Sequence, residues 1–260
     1  MVNKNVWALI TGAGSGMGYC YARALAASGY NVLLVSNQDF IAKKAEQVQK
    51  DYSVHTIGLQ RDLSAPNVAE ELYAYCQINN ILVEVLINNA GVYHDCDFLN
   101  DSADFNRLIL HLHVVTPAML CYYFGQNMTE RHRGYILNVC SVTSHIAVQR
   151  MSTYASTKAF LASFTRSLHI ELRSKGVCVT NVSPGAVDTG LYHIRPWATR
   201  FGKTMGYIVS PEYLVKCALN GLFHGRAKVS VPCLWNGILL FFVSLIPTPV
   251  LRLIRRFGWF

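Results

Sequence analysis

Charge is scarce in this sequence. Lysine, arginine, aspartate and glutamate make up 15% of the 260 residues, against 52% hydrophobic residues. That balance excludes a disordered chain and supplies apolar material for a large core. None of Cys20, Cys76, Cys96, Cys121, Cys140, Cys178, Cys217 and Cys233 lies in a C-x-x-C pair. Their scatter reads as small buried hydrophobes in a reducing, cytoplasmic setting. No metal site is expected. The basic residues form no long run and no nucleic-acid-binding motif appears, so the net charge of +8 does not point to DNA or RNA. Internal repeats and linkers are missing too. No signal peptide is expected, because residues 6–10 give five strand-like residues before a glycine-rich turn.

What is present is a steady alternation of apolar runs and amphipathic stretches. Strands are predicted over residues 6–10, 31–36, 54–59, 83–89, 134–141, 177–184 and 228–231. Helices are predicted over 16–28, 39–50, 65–77, 102–131, 152–175 and 211–224. Most strand runs lack a clean polar alternation, as expected of strands covered by helices on both faces. The order β-α-β throughout predicts a single doubly wound α/β Rossmann domain with a mainly parallel seven-stranded sheet. At 260 residues the chain is within reach of one such domain and short for two. The domain is placed at residues 1–235 and an apolar, basic tail at 236–260. Residues 188–209, rich in turn formers and aromatics, read as a long excursion where a substrate lid could sit.

Thr11-Gly12-Ala13-Gly14-Ser15-Gly16-Met17-Gly18 follows the first strand and opens the first helix. Glycines there let the backbone turn tightly and approach a pyrophosphate, to which the helix N-terminus presents free N–H groups. Asn88-Asn89-Ala90-Gly91 closes the fourth strand. Ser141, Tyr154 and Lys158 carry an S-x12-Y-x3-K spacing, and Pro184-Gly185, then Thr189, follow the sixth strand. Together, in this order, these four motifs resemble the short-chain dehydrogenase/reductase family over about residues 5–225.

The resemblance implies a nicotinamide-dependent oxidoreductase. Tyr154 would pass a proton to a carbonyl oxygen in reduction or take it from an alcohol in oxidation. Lys158, on the same helix face, would bind the nicotinamide ribose and lower the Tyr154 pKa, and Ser141 would hydrogen-bond the substrate oxygen. Gly12, Ser15, Gly16, Met17 and Gly18 would line the pyrophosphate, Ser36 and Asn37 the adenosine ribose, and Asp62 and Leu63 the adenine. Asn89, Ala90 and Gly91 would pass under the cofactor, and Pro184, Gly185, Val187 and Thr189 would also bind it. Asp62 has a second reading, as the cap of a helix starting near Ala65 or Pro66. The family usually places an asparagine where this chain has His113. That histidine either runs a water relay to Lys158 as a neutral imidazole or is ordinary helix packing.

The second strand ends in Ser36-Asn37 without an acid to repel a 2′-phosphate, the nearest being Asp39. NADP(H) is therefore expected over NAD(H), although the family's usual arginine is absent at Asn37. The expected reaction is NADPH-dependent reduction of a ketone on a hydrophobic substrate, ketoacyl, keto-sphingoid or steroid-like; the alternative is a catalytically idle nucleotide-binding or regulatory member of the same fold. Specificity is expected to reside in residues 93–99, 144–152 and 191–207, and a homo-oligomer is implied by the resemblance. In the tail, eight of the nine residues 238–246 are apolar and Arg252, Arg255 and Arg256 follow. As a helix those nine would span about 14 Å, well short of a bilayer core. The tail is read as a peripheral contact with the cytoplasmic face of a membrane or part of a lipid pocket; a dimer contact or a cap on the core reads it equally well.

Overall fold

A computed structural model of the chain describes residues 6–146, 148–188 and 208–231. Its elements run β1 (Val6–Thr11), α1 (Gly16–Ala27), β2 (Asn31–Ser36), α2 (Ile41–Tyr52), β3 (Thr56–Gln60), α3 (Val68–Ile78) and β4 (Leu82–Asn88). Then come α4 (Ala103–Leu110), a π-helical turn (His111–Val115), α5 (Thr116–Glu130), β5 (Gly134–Val139) and α6 (Ser152–Arg173). After β6 (Val177–Pro184) follow β7 (Ala186–Val187), β8 (Ile208–Val209), α7 (Pro211–Phe223) and β9 (Lys228–Val231).

The main sheet has seven strands in the order β3-β2-β1-β4-β5-β6-β9, and each neighbouring pair is parallel. The strand order reverses between β1 and β4, where the two halves of a doubly wound sheet part and a ligand crevice opens. The apolar runs behave as parallel strands should: all six residues of β2 are buried, and the sheet is packed on both faces. One face carries Tyr21, Leu25, Val48, Leu214 and Leu222. The other carries Leu72, Leu120, Phe124 and Met128. The stretch Ala103–Glu130 is long and apolar enough to cross a membrane, but its buried side chains are those of this second face.

The single helix predicted over 102–131 is two helices joined by a π turn. Pro117, in the first turn of α5, has no N–H to give to the carbonyl four residues back, that of His113. A wider turn accommodates that loss, and it aims His113 at the interior, where it is 1% exposed. The seven described cysteines are free thiols. Thr189, the specificity segment 191–207 and the tail 236–260 lie outside the described residues.

Candidate active site

The carboxyl ends of β1 and β4 are knitted together by side chains. Thr11 Oγ1 donates to Ile87 O (3.2 Å) and accepts from the N–H groups of Asn89 (2.9 Å) and Ala90 (3.1 Å). Asn89 Nδ2 returns to Thr11 O (3.0 Å) and Gly12 O (3.3 Å). Space above this seam exists because side chains are missing. Gly12 has φ +65°, and a Cβ on it would press into Ala90 Cα. A Cβ on Gly18 would collide with the Gly12 carbonyl. The start of α1 carries no acidic residue in its first turn, and Ser15 gives it no side-chain cap, so the N–H groups there remain open to an anion.

The residues present fit a dinucleotide. Two buried side-chain oxygens beside the glycine turn, Asn89 Oδ1 and Gln38 Oε1, find no hydrogen-bond partner among the described residues. Buried polar atoms of that kind are normally satisfied, and a nucleotide carries hydroxyl and amide donors that suit both. A cavity of about 130 Å³ continues from the turn along Gly12, Ser36, Asn37, Asp62 and Ala90, and Arg61 is in its wall. Arg61 is a residue that the motif reading passed over; its signal was a lone cation directly before Asp62.

Asp62 does not cap a helix. Helix α3 begins at Val68, and Asp62 Oδ1 instead accepts from the N–H (2.9 Å) and O–H (2.7 Å) of Ser64 in a tight turn. Those bonds hold its carboxyl below its ordinary pKa. Leu63 is buried beside it, and its carbonyl accepts from Thr116 Oγ1 at 2.7 Å. At the far end, Pro184 closes β6, the Gly185 N–H donates to Val231 O (2.8 Å), and Val187 is buried in the β7–β8 ladder.

Beyond the end of β5, three predicted catalytic side chains are buried: Ser141, Tyr154 and Lys158 are 4%, 5% and 5% exposed. Ser141 Oγ accepts from Thr143 N–H (3.2 Å) and from Thr143 Oγ1–H (2.9 Å), which leaves the Ser141 hydroxyl proton to be donated elsewhere. Lys158 Nζ donates to Val139 O at 2.9 Å and stands 5.8 Å from the centroid of the Tyr154 ring. No carboxylate pairs with this lysine among the described residues, and burial lowers its pKa from 10.5 to about 8. The edge of the Tyr154 ring is boxed by Tyr93 (centroids 5.5 Å apart) and His113 (5.7 Å).

His113 faces protein groups with both ring nitrogens. Its Nε2 accepts from the Val92 N–H at 3.0 Å, and its Nδ1 lies 3.1 Å from Thr157 Oγ1. A backbone N–H can only donate, so Nε2 is the acceptor and the ring proton sits on Nδ1. Thr157 Oγ1 in turn donates to Tyr154 O at 2.8 Å. Burial first, then the charge of Lys158, holds the imidazole well below its ordinary pKa, hence neutral. A relay passing a proton between two waters needs both nitrogens, and here protein groups take both. The ring ties the turn after Gly91 to the helix that carries Tyr154. It also fills the space over Gly91, where an added Cβ would stand 3.0 Å from Nε2. Thr157, the other half of this tie, went unread in the sequence; its signal was a threonine three residues after Tyr154 on the same helix.

Deeper in the core, Asn88 Nδ2 donates to Asn138 Oδ1 (2.8 Å) and Asn138 Nδ2 to Thr165 Oγ1 (2.9 Å). The Asn88 half of the motif thus joins β4, β5 and α6.

A model of the short chain dehydrogenase family matches residues 6–196. A very-long-chain 3-oxoacyl-CoA reductase of Coprinopsis cinerea is 32% identical over 95% of this chain and 74% of its own length. The 17-beta-hydroxysteroid dehydrogenase type 3 of Rattus norvegicus is 27% identical over 94% of this chain and 77% of its own. Among solved structures, a short-chain dehydrogenase from Sphingobium yanoikuyae in complex with NADPH superposes with a TM-score of 0.78 at 26% identity, covering 94% of this chain and 97% of that one.

Proposed function

The chain belongs to the short-chain dehydrogenase family and is an oxidoreductase, and from that premise we propose that it reduces a ketone on a long or bulky hydrophobic substrate with NADPH. The observation that carries this reading is the buried set of Ser141, Tyr154 and Lys158 with a hydroxyl proton on Ser141 left to donate. When bound, the reduced nicotinamide supplies a hydride to the carbonyl carbon. Ser141 and the Tyr154 hydroxyl hold the carbonyl oxygen, and Tyr154 gives it the proton that makes the alcohol. Lys158, charged below about pH 8, makes the resulting phenolate easier to carry. Ser15, Gly16, Met17 and Gly18 at the start of α1 hold the pyrophosphate, Ser36 and Asn37 the adenosine ribose, Asp62 and Leu63 the adenine, and Lys158 the nicotinamide ribose. Ala90 would leave room for the cofactor, and Pro184, Gly185 and Val187 would contact it. A hydrophobic substrate agrees with the names of the relatives and with the aromatic wall that Tyr93 makes against Tyr154.

The test is NADPH oxidation with 3-oxoacyl-CoA thioesters of rising chain length, a 3-keto-sphingoid base and 17-keto steroids. Turnover should appear with at least one class and fall by roughly 10²- to 10⁴-fold in Tyr154→Phe. No turnover with any hydrophobic ketone, or an undiminished rate in the variant, would end the reading. The same reading places the enzyme on the cytoplasmic face of a membrane through residues 236–260, and flotation with anionic vesicles should separate the intact chain from one ending at residue 235. A second copy is the expected cover for the apolar groove between α4 and α6, where Leu99, Leu110 and Phe160 are exposed. Light scattering should then give at least twice the monomer mass of 29.1 kDa.

A further inference from the structure

The end of β2 has no cation to meet the 2′-phosphate of NADPH: Asn37 stands there, followed by Gln38 and the acid Asp39. The neighbouring strand has one. In the parallel register of β2 and β3, Ser36 lies beside Gln60, and the residue that follows β3 is Arg61. The Arg61 N–H donates to Ser36 O at 2.8 Å, and Gln60 Nε2 donates to Asn37 O at 3.2 Å. These bonds fix the two strand ends side by side, so Arg61 and Asn37 share one wall of the cavity that runs out from Gly12.

We propose that Arg61 is the cation that binds the 2′-phosphate, taking over from β3 the part that Asn37 cannot play on β2. The inference rests on the NADPH reading above. Arg61 is exposed and, among the described residues, its side chain makes a single short bond, Nη1 to the carbonyl of Gln60 at 2.8 Å. No carboxylate pairs with it among the described residues. The guanidinium therefore keeps most of its donors for a ligand, and a planar fork of that kind suits phosphate oxygens. The acid in the same wall, Asp62, has one oxygen held by Ser64. Ser36 adds a neutral donor: its buried Oγ accepts from the Gln38 N–H at 3.3 Å, leaving its own proton to give. Gln38 itself lies over Gly14, where an added Cβ would collide with its amide.

The test reads binding rather than turnover. Fluorescence titration would give Kd for NADPH and NADH, and calorimetry would compare adenosine 2′,5′-bisphosphate with AMP, for the intact chain and for Arg61→Ala and Arg61→Lys. Arg61→Ala should raise Kd for NADPH and the bisphosphate by about tenfold to a hundredfold and move NADH and AMP by less than about twofold. Arg61→Lys, a point charge without the fork, should fall between. Melting curves of all three proteins should coincide, since the side chain is exposed. If the intact chain prefers NADPH and Arg61→Ala keeps that preference, the inference fails and the NADPH reading stands. A parallel loss of NADPH and NADH would mean that Arg61 stacks on the adenine, which also overturns the inference. If the intact chain prefers NADH, the reading itself fails and takes the inference with it.

Discussion

Around the glycine turn this protein makes room by leaving side chains out, whereas around Tyr154 it fills the space with polar side chains bonded to one another. On the first side Gly12, Gly18 and Ala90 keep the floor bare, and the ligand-facing groups are backbone N–H groups, few of which can be removed by mutation. On the second side the working groups are held in bonded chains: Val92 to His113 to Thr157 to the Tyr154 carbonyl, and Asn88 to Asn138 to Thr165. A surface built from absence is broken by adding atoms. A surface built from mutual satisfaction is broken by removing one partner, and the cost is the unpaired group left behind.

That contrast predicts opposite phenotypes for the two sides. Gly18→Ala puts a methyl into the Gly12 carbonyl, so nucleotide binding should weaken by roughly 10²-fold or more, as a turn forced open loses several backbone bonds to the pyrophosphate at once. Tyr154→Phe, on the other side, should leave the Kd for NADPH within about twofold while lowering kcat by roughly 10²- to 10⁴-fold. Equilibrium binding and single-turnover rates on both variants decide the matter. Loss of binding in Tyr154→Phe would show that the two walls are not separable in this way.

Lys158 sharpens the contrast, because it is the buried charge on the satisfied side. Its folded pKa of about 8 lies below the ordinary 10.5, so the unfolded chain holds that proton more tightly. The fold therefore carries the full penalty below pH 8 and is relieved of it as pH rises from 8 to 10.5. Lys158→Met should abolish turnover yet raise Tm at pH 7 by a few degrees, a trade of stability for function. The gain should shrink between pH 8 and 10.5. In the intact enzyme, reduction should decline as pH rises through about 8 and the ammonium is lost. A lowered Tm in the methionine variant would mean that the bond to Val139 O outweighs the cost of burying the charge.

The two sides also differed in how much the sequence disclosed. The bare side is legible because its signal is local: a glycine spacing directly after an apolar run needs no partner elsewhere in the chain to be read. The seven strands and the positions of Ser141, Tyr154 and Lys158 follow from the same kind of local pattern, periodicity and fixed spacing. The bonded chains are not local. Val92, His113 and Thr157 are 21 and 44 residues apart, and nothing in either neighbourhood announces that they meet. The bonding of His113 was illegible for a related reason. A histidine's neighbours in sequence do not reveal which of its nitrogens is already engaged. The π turn that aims it inward had a visible cause in Pro117, but a proline in a long helical pattern reads equally as a kink or a stop. Arg61 escaped because its meaning depends on strand register, which places it beside Asn37 across the sheet.

The smallest expected effect tests the tie itself. His113→Leu removes the acceptor for the Val92 N–H and the donor to Thr157 Oγ1, leaving two polar groups without these partners in a buried place. It should lower stability by about 1–3 kcal/mol and, by loosening the turn after Gly91 against the catalytic helix, reduce kcat/KM by about tenfold. His113→Asn can still present a carbonyl oxygen to Val92 and should recover most of both. The pH dependence separates this positioning role from packing alone. The buried imidazole stays neutral well below pH 6.5, while the same residue in the unfolded chain takes up a proton near 6.5. Stability should therefore fall as pH drops below 6.5, because the unfolded state then binds a proton that the folded state refuses. In His113→Asn that part of the slope should vanish, so the two denaturant midpoints should draw together as the pH is lowered from 7 to 5. Parallel curves would mean that the buried ring is protonated after all, and the assignment of its proton to Nδ1 with Nε2 as an acceptor would have to be abandoned.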